Sequence, residues 1–167
     1  MLLDGSIDCA RAAREIMTRE NIELLIKCLP NHEGLDLPAY MSAGSSGMDL
    51  IAAVEKPVTL EPGKRVLIPT GISIAVPEGF EAQVRPRSGL AHRHGIGVLN
   101  SPGTIDYDYR GEVHVILTKF GDQPFVIERG LQIAQLVIAP TVKAEIKIVS
   151  ELDVTIRNHG GFGHTGV

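Results

Sequence analysis

From Ile22 onward, apolar and polar positions alternate in short runs closed by turn residues. The runs are Ile22 to Leu29, Met48 to Ala53, Arg65 to Ile68, Ile72 to Val76, Phe80 to Arg85, Val113 to Phe120, Phe125 to Ile127, Gln132 to Ile138 and Ala144 to Val149. A period of two sends successive side chains to opposite faces, so each run reads as a strand with one face toward a core. Glu61-Pro62-Gly63, Pro77-Glu78-Gly79 and Phe120-Gly121-Asp122 supply turn chemistry between them. Short strands without helical intervals predict an all-β sandwich or barrel-like jelly roll, not a βαβ fold. Only the N-terminal stretch departs from this pattern. Ile7, Ala10, Ala13, Ile16 and Met17 fall at helical intervals and predict one short helix over Ile7 to Glu20, with a frayed extension as the competing reading.

Composition narrows the picture. A chain of 167 residues with 44% hydrophobic content suits one domain with a sizeable core. Aromatics are 4% and Trp is absent, so Val, Ile and Leu must fill that core between turns made by 18 Gly and 10 Pro. A net charge of −4 argues against a nucleic-acid surface, which needs a basic stripe. Cys9 and Cys28 show no CxxC spacing, which predicts free thiols in a reducing compartment. No apolar run approaches the roughly 18 residues of a membrane span. Asp4 and Asp8 stand where a secretory signal would be basic, so the expectation is a cytoplasmic protein that binds neither nucleic acid nor membrane.

The candidate chemistry begins with Asn100-Ser101-Pro102-Gly103-Thr104-Ile105-Asp106-Tyr107-Asp108-Tyr109-Arg110-Gly111, read as a glycine-started hairpin between apolar strands. A carboxylate held on such an element can orient a water and take its proton, and Asp106 is the first candidate. The competing reading is that Asp106 and Asp108 only cap turn amides. Tyr107 and Tyr109 are two apart and share a strand face, so either ring can pack against a flat sugar, and spacing does not choose between them. Arg87-Ser88-Gly89 offers a guanidinium fork, a hydroxyl and an unhindered N–H in succession, a compact anion cradle. His92 and His94 alternate on what reads as an extended segment and point apart, against a shared metal. Gln135 is a polar residue within an apolar strand. Gly161-Phe162-Gly163-His164-Thr165-Gly166 satisfies G-x-G-x-x-G, yet no strand–helix unit follows it, so it is not a dinucleotide fingerprint.

With Ala43-Gly44-Ser45-Ser46-Gly47-Met48-Asp49-Leu50 and Arg129-Gly130-Leu131-Gln132-Ile133-Ala134-Gln135-Leu136, these segments resemble, in order and spacing, the five motifs of the trimeric dUTPase family. The resemblance runs from about Ile22 to Val167. It implies a distorted jelly roll of the dUTPase-like β-clip kind over 22–156, with a helical extension at 1–21 and a flexible glycine-rich arm at 157–167. It implies a homotrimer with shared active sites that hydrolyses dUTP to dUMP and diphosphate, limiting uracil incorporation into DNA and supplying a thymidylate precursor. Asp106 becomes the base for the attacking water, and Tyr109 the ring that fills the space of a 2′-hydroxyl. Asn100, Gly103, Thr104, Ile105 and the main chain near His114 meet the pyrimidine, while Arg87, Ser88, Gly89 and Gln135 meet phosphates. Phe162 stacks on uracil, and Arg157, Gly163 and Thr165 close the arm over the nucleotide. Asn158-His159 and His164 depart from the commonest family residues without removing a group that has a role.

A triphosphate in a hydrolytic site implies Mg2+, held mainly by phosphate oxygens and water. Asp49 is the candidate for a water-mediated contact, and a turn-capping role is its competing reading. Two other functions fit parts of the pattern: a dCTP deaminase-type relative, and a nucleotide-binding trimer without turnover.

Overall fold

The computed structural model describes residues 22–161, so the helix expected over Ile7 to Glu20 lies outside them. Two four-stranded antiparallel sheets face each other. The first orders β1 (Leu25–Cys28), β4 (Arg65–Ala75), β8 (Glu112–Lys119) and β6 (Ile96–Val98). The second orders β2 (Met48–Ile51), β10 (Gln132–Pro140), β5 (Phe80–Arg85) and β7 (Gly103–Ile105). β3 (Val58–Leu60) and β9 (Phe125–Ile127) form a separate ribbon. Alternation decides what is buried: Ile68, Ile72, Val113, Val115 and Leu117 of the first sheet join Leu50, Ala82, Val84 and Leu136 of the second in one core. Each such Ile or Leu contributes about 1.5–3 kcal/mol of burial. The all-β expectation holds, and among the described residues no helix is long and apolar enough to cross a membrane.

Four departures from the sequence reading matter for the site. First, Arg65 to Ile68 and Ile72 to Val76 are one strand, β4, whose pairing to β8 slips between Pro69↔His114 and Ser73↔Glu112. Residues 70–72 bulge out of that ladder, and the Pro-Thr-Gly punctuation marked the bulge, not a chain reversal. Second, Asn100 to Gly111 is not a hairpin. β7 pairs with β5 in the second sheet, whereas β6 and β8 on either side of it pair with each other in the first. The segment therefore crosses from one sheet to the other and back, and neither Tyr107 nor Tyr109 lies on a strand.

Third, Ser88–His94 is a helix, α1, not an extended segment. Gly95 ends it in the left-handed region at φ 59°, with its N–H on the Ala91 carbonyl at 3.0 Å. The carbonyls at that end are held by the turn after β8, through Phe120 N–H to Gly95 O at 2.7 Å and the buried Lys119 ammonium to His94 O. This anchors the helix whose first residues are Ser88 and Gly89. Fourth, Ala144 to Val149 pairs with nothing among the described residues. Val142, Ile146, Ile148, Leu152, Val154 and Ile156 stand out in solvent from a segment with no regular structure, each more than 80% exposed. The strand expected over Ala144 to Val149 is therefore not formed among the described residues: alternation alone does not make a strand without a neighbour to pair with.

Candidate active site

Where the chain crosses between the sheets it walls a cavity of about 360 Å³, lined by Leu67, Asn100, Thr104, Ile105, Asp106, Tyr109, Glu112, Val113, His114 and Ile116. Each wall has a local cause. β7 is clamped to β5 by Gln83↔Thr104 and Val84↔Gly103, which fixes the backbone entering Asp106. A Cβ on Gly103 would sit 3.0 Å from the Asn100 amide nitrogen and 3.4 Å from Val84 Cβ, so glycine lets the Asn100 side chain fold against this strand. After Asp106 the chain turns, with Tyr109 N–H on the Asp106 carbonyl at 3.1 Å. Arg110 ties the turn by donating from Nη1 to the carbonyls of Tyr107 at 2.7 Å and Tyr109 at 2.8 Å. The Tyr109 hydroxyl donates to Glu112 O at 3.0 Å, and its ring lies so close over Gly111 that a Cβ there would collide with it.

The Asp106 carboxylate faces solvent, and among the described residues none donates a hydrogen bond to it or pairs with it. Asp49 is its opposite. Buried at 5% exposure on β2, it takes Arg87 Nε on one oxygen and Nη2 on the other, both at 3.1 Å. Gln135 Nε2 adds a longer contact at 3.3 Å from the directly opposed position on β10. Arg87 Nη1 also donates to Gln132 O at 3.3 Å. The fork geometry makes this the strongest charged pairing in the described residues.

The sequence-predicted residues thus fall into two groups in one chain. Asn100, Gly103, Thr104, Ile105, Asp106, Tyr109 and His114 gather at the cavity. Arg87 and Gln135 gather instead at Asp49 on β2, the edge of the second sheet opposite β7 and three strand spacings or roughly 14 Å from it, while Ser88 and Gly89 follow Arg87 just past the end of β5. Arg157 lies beyond the exposed segment, its Nε donating to Gly160 O at 2.8 Å. Phe162, Gly163 and Thr165 are outside the described residues. His92 and His94, two apart on α1, still point to different sides.

For a divalent ion, no three His, Cys, Asp or Glu side chains converge among the described residues. Asp49 has both oxygens committed to Arg87. That donor set fits Mg2+ carried on the oxygens of a bound triphosphate, with Asp49 contributing at most an outer contact through water. Sequence reading missed Arg110, which ties the turn leading into the cavity, and Glu112, which lines it. Their signal was position alone, directly after Tyr109 and at the first residue of β8.

Comparison with known proteins bears on the family and the fold. The dUTPase family model matches residues 33–166. The deoxyuridine 5′-triphosphate nucleotidohydrolase of Rhizobium etli (strain CIAT 652) is 58% identical over 152 residues, covering 90% of this chain and 96% of that protein. A variant of the Staphylococcus bacteriophage 80alpha dUTPase, solved with dUpNHpp, superposes with a TM-score of 0.77 at 26% identity, covering 87% of this chain and 99% of that one. A variant dUTPase from phage phi11 of S. aureus, solved with a structural Mg(II) ion, shares the fold at a TM-score of 0.70 and 23% identity over 80% of this chain and 100% of that one. On the family match and the identity to its bacterial relative, the chain belongs to the dUTPase family.

Proposed function

We infer that this chain hydrolyses dUTP to dUMP and diphosphate, with Asp106 as the base. The observation that carries the assignment of the base is the exposed Asp106 carboxylate, without a partner among the described residues, at the wall of the nucleoside-sized cavity. A water held by Asp106 attacks the α-phosphorus, its proton passing to the carboxylate. The bond from the α-phosphorus to the bridging oxygen breaks, and diphosphate leaves with the electron pair. Asn100, Thr104, Ile105 and the backbone at Gly103 and His114 read the uracil edge. A pocket built to pair with uracil leaves its own groups unsatisfied with cytosine, which is how it discriminates. Tyr109 covers the deoxyribose and leaves no room for a 2′-hydroxyl. Mg2+, when bound with the substrate, neutralises phosphate charge and fixes the triphosphate geometry. Nothing in the comparisons supports the deaminase alternative. The exposed Cys28 thiol suits a reducing cytoplasm.

The separation of the two groups supports a homotrimer with shared sites. In this reading Arg87, Ser88, Gly89 and Gln135 of one subunit hold phosphates of a nucleotide whose uracil lies in another subunit's cavity. The exposed apolar residues from Val142 to Ile156 would be covered by a neighbouring chain. At about 3.3 Å per residue, an extended arm has the reach to bring Arg157, Phe162, Gly163 and Thr165 over a site on another subunit.

Diphosphate release from dUTP, dCTP, dTTP and UTP, each with and without magnesium, tests the reaction. Release from dUTP alone, stimulated by the metal, is expected, and equal release from UTP or dCTP would overturn the substrate assignment. Sharing is tested by complementation. An Asp106→Asn chain and a chain truncated after Ile156 are each expected to be nearly inactive, and co-refolded mixtures to regain activity. If mixing restores nothing despite demonstrated subunit exchange, each arm serves its own subunit.

A further inference from the structure

The bulge in β4 reaches the cavity through one side chain, Glu112. Because residues 70–72 leave the ladder, Gly71 N–H has no strand partner, and Glu112 Oε1 takes it at 2.8 Å. The same oxygen accepts Asn31 Nδ2 at 2.8 Å, from the 3-10 turn Pro30–His32 that packs against the bulge. That packing leaves no room at Gly71, where a Cβ would come within 2.8 Å of His32 Cα at a φ of +71°. Thr70 Oγ1 adds a second tie by donating to Val113 O at 2.6 Å. The first two residues of β8, both of which line the cavity, are thus tied to the bulge and the 3-10 turn. On the cavity side, the carbonyl of Glu112 accepts the Tyr109 hydroxyl at 3.0 Å and His114 Nδ1 at 3.1 Å. Glu112 Oε2 lies 3.7 Å from His114 Nε2.

We propose that Glu112 is a positioning residue for sugar discrimination: its carboxylate, tied to the β4 bulge, fixes the carbonyl that holds the Tyr109 ring in place. This rests on the reading of Tyr109 as the ring that excludes a 2′-hydroxyl. Tyr109 is 44% exposed and follows a turn, so ring packing alone does not hold it. Its hydroxyl bond to Glu112 O is the anchor. An anchor that shifts lets the ring swing and opens the space a ribose needs.

The test is the ratio of kcat/KM for dUTP to that for UTP. Glu112→Ala is expected to lower it by about tenfold, the scale of one misplaced contact in a specificity pocket, with the change falling on KM more than on kcat. Glu112→Gln keeps an oxygen for Gly71 and Asn31 and is expected to restore the ratio to within about threefold. Tyr109→Phe, which keeps the ring and loses the anchor, should move the ratio in the same direction as Glu112→Ala. Should Glu112→Ala fail to fold, Asn31→Ala loosens the same carboxylate from its far side, and its ratio decides in place of the first. An unchanged ratio in the deciding variant, or a Gln variant that does not restore it, overturns the proposal. Tyr109→Ala separates the two inferences. If it abolishes discrimination while Glu112→Ala does not, only the role of Glu112 fails, whereas unchanged discrimination in Tyr109→Ala removes the reading of Tyr109 itself.

Discussion

Asp49 and Asp106 stand at opposite edges of the second sheet, one on β2 and the other just past β7, and the chain treats them oppositely. Asp49 is buried, and Arg87 and Gln135 answer both its oxygens. Asp106 is exposed, and among the described residues nothing answers it. A carboxylate already saturated by a guanidinium has little left to offer a water, whereas one without donors can orient a water and accept its proton. The difference supports reading Asp49 as a structural carboxylate, which sets where Arg87 sits, and Asp106 as the base of the proposed reaction.

The comparison is broken most directly at Asp106. Asp106→Asn is expected to lower dUTP turnover by about 10² to 10⁴, the usual contribution of a positioned base. Because the carboxylate makes no hydrogen bond or ion pair among the described residues, its thermal midpoint should match that of the parent, as read by calorimetry at equal protein concentration. Wild-type turnover would remove Asp106 from the chemistry. A large loss of stability would mean it is a structural residue like Asp49.

Next in size is Gly71→Ala, which attacks the scaffold behind the cavity and leaves both carboxylates alone. The left-handed backbone costs a non-glycine residue about 1–2 kcal/mol, and forcing a methyl against the His32 backbone adds a comparable overpacking cost. A destabilisation of roughly 3 kcal/mol is expected, measured as a shift of the urea midpoint. A neutral result would mean that the 3-10 turn moves freely, and with it the anchoring of Glu112 through Asn31.

Asp49→Ala should cost less in stability, about 2 kcal/mol, because it strips a charge-assisted fork from an arginine whose side chain is still 30% exposed and partly rehydrates. Its second effect is the sharper one. Arg87 loses the partner that orients it, so KM for dUTP should rise while kcat changes less, the reverse of the Asp106 variant. If kcat falls instead and KM holds, Asp49 acts on the reaction and not on the placement of Arg87.

Much of this was legible before any coordinates. The alternation of β5 fixed its bounds, with turn residues at each end and a face in the core, whereas the three-residue β9 was found from the turn residues that flank it. The motif residues around Asp106 and Arg87 were identifiable by type and order. What escaped depended on partners distant in sequence. β3, β6 and β7 are three residues each, too short for a period to register. The supposed hairpin failed because Gly103–Ile105 pairs with β5, about twenty residues upstream, and no local pattern records which sheet a strand joins. Ser88–His94 hid its helix because Gly89 and two histidines are weak helix formers, and its C-terminal anchor is the turn at Phe120. Glu112 escaped for the same reason: its donors, Asn31 and Gly71, are 81 and 41 residues away.

The smallest effect belongs to Gln135, and it sharpens the boundary between holding Asp49 and meeting phosphate. Its amide reaches Asp49 Oδ1 only at 3.3 Å, while Arg87 binds both oxygens at 3.1 Å. Gln135 is half-buried on β10, where leucine fits the strand and gains some apolar burial. Gln135→Leu should therefore change stability by no more than about 0.5 kcal/mol, since a long neutral donor to an already satisfied carboxylate adds little. Urea unfolding checks that, and the kinetics then become informative. A severalfold rise in KM for dUTP on an unchanged fold would report a lost phosphate contact. An unchanged KM would leave Gln135 as an aligner of Asp49, and a destabilisation above about 1 kcal/mol would make it a full member of the Asp49 clamp.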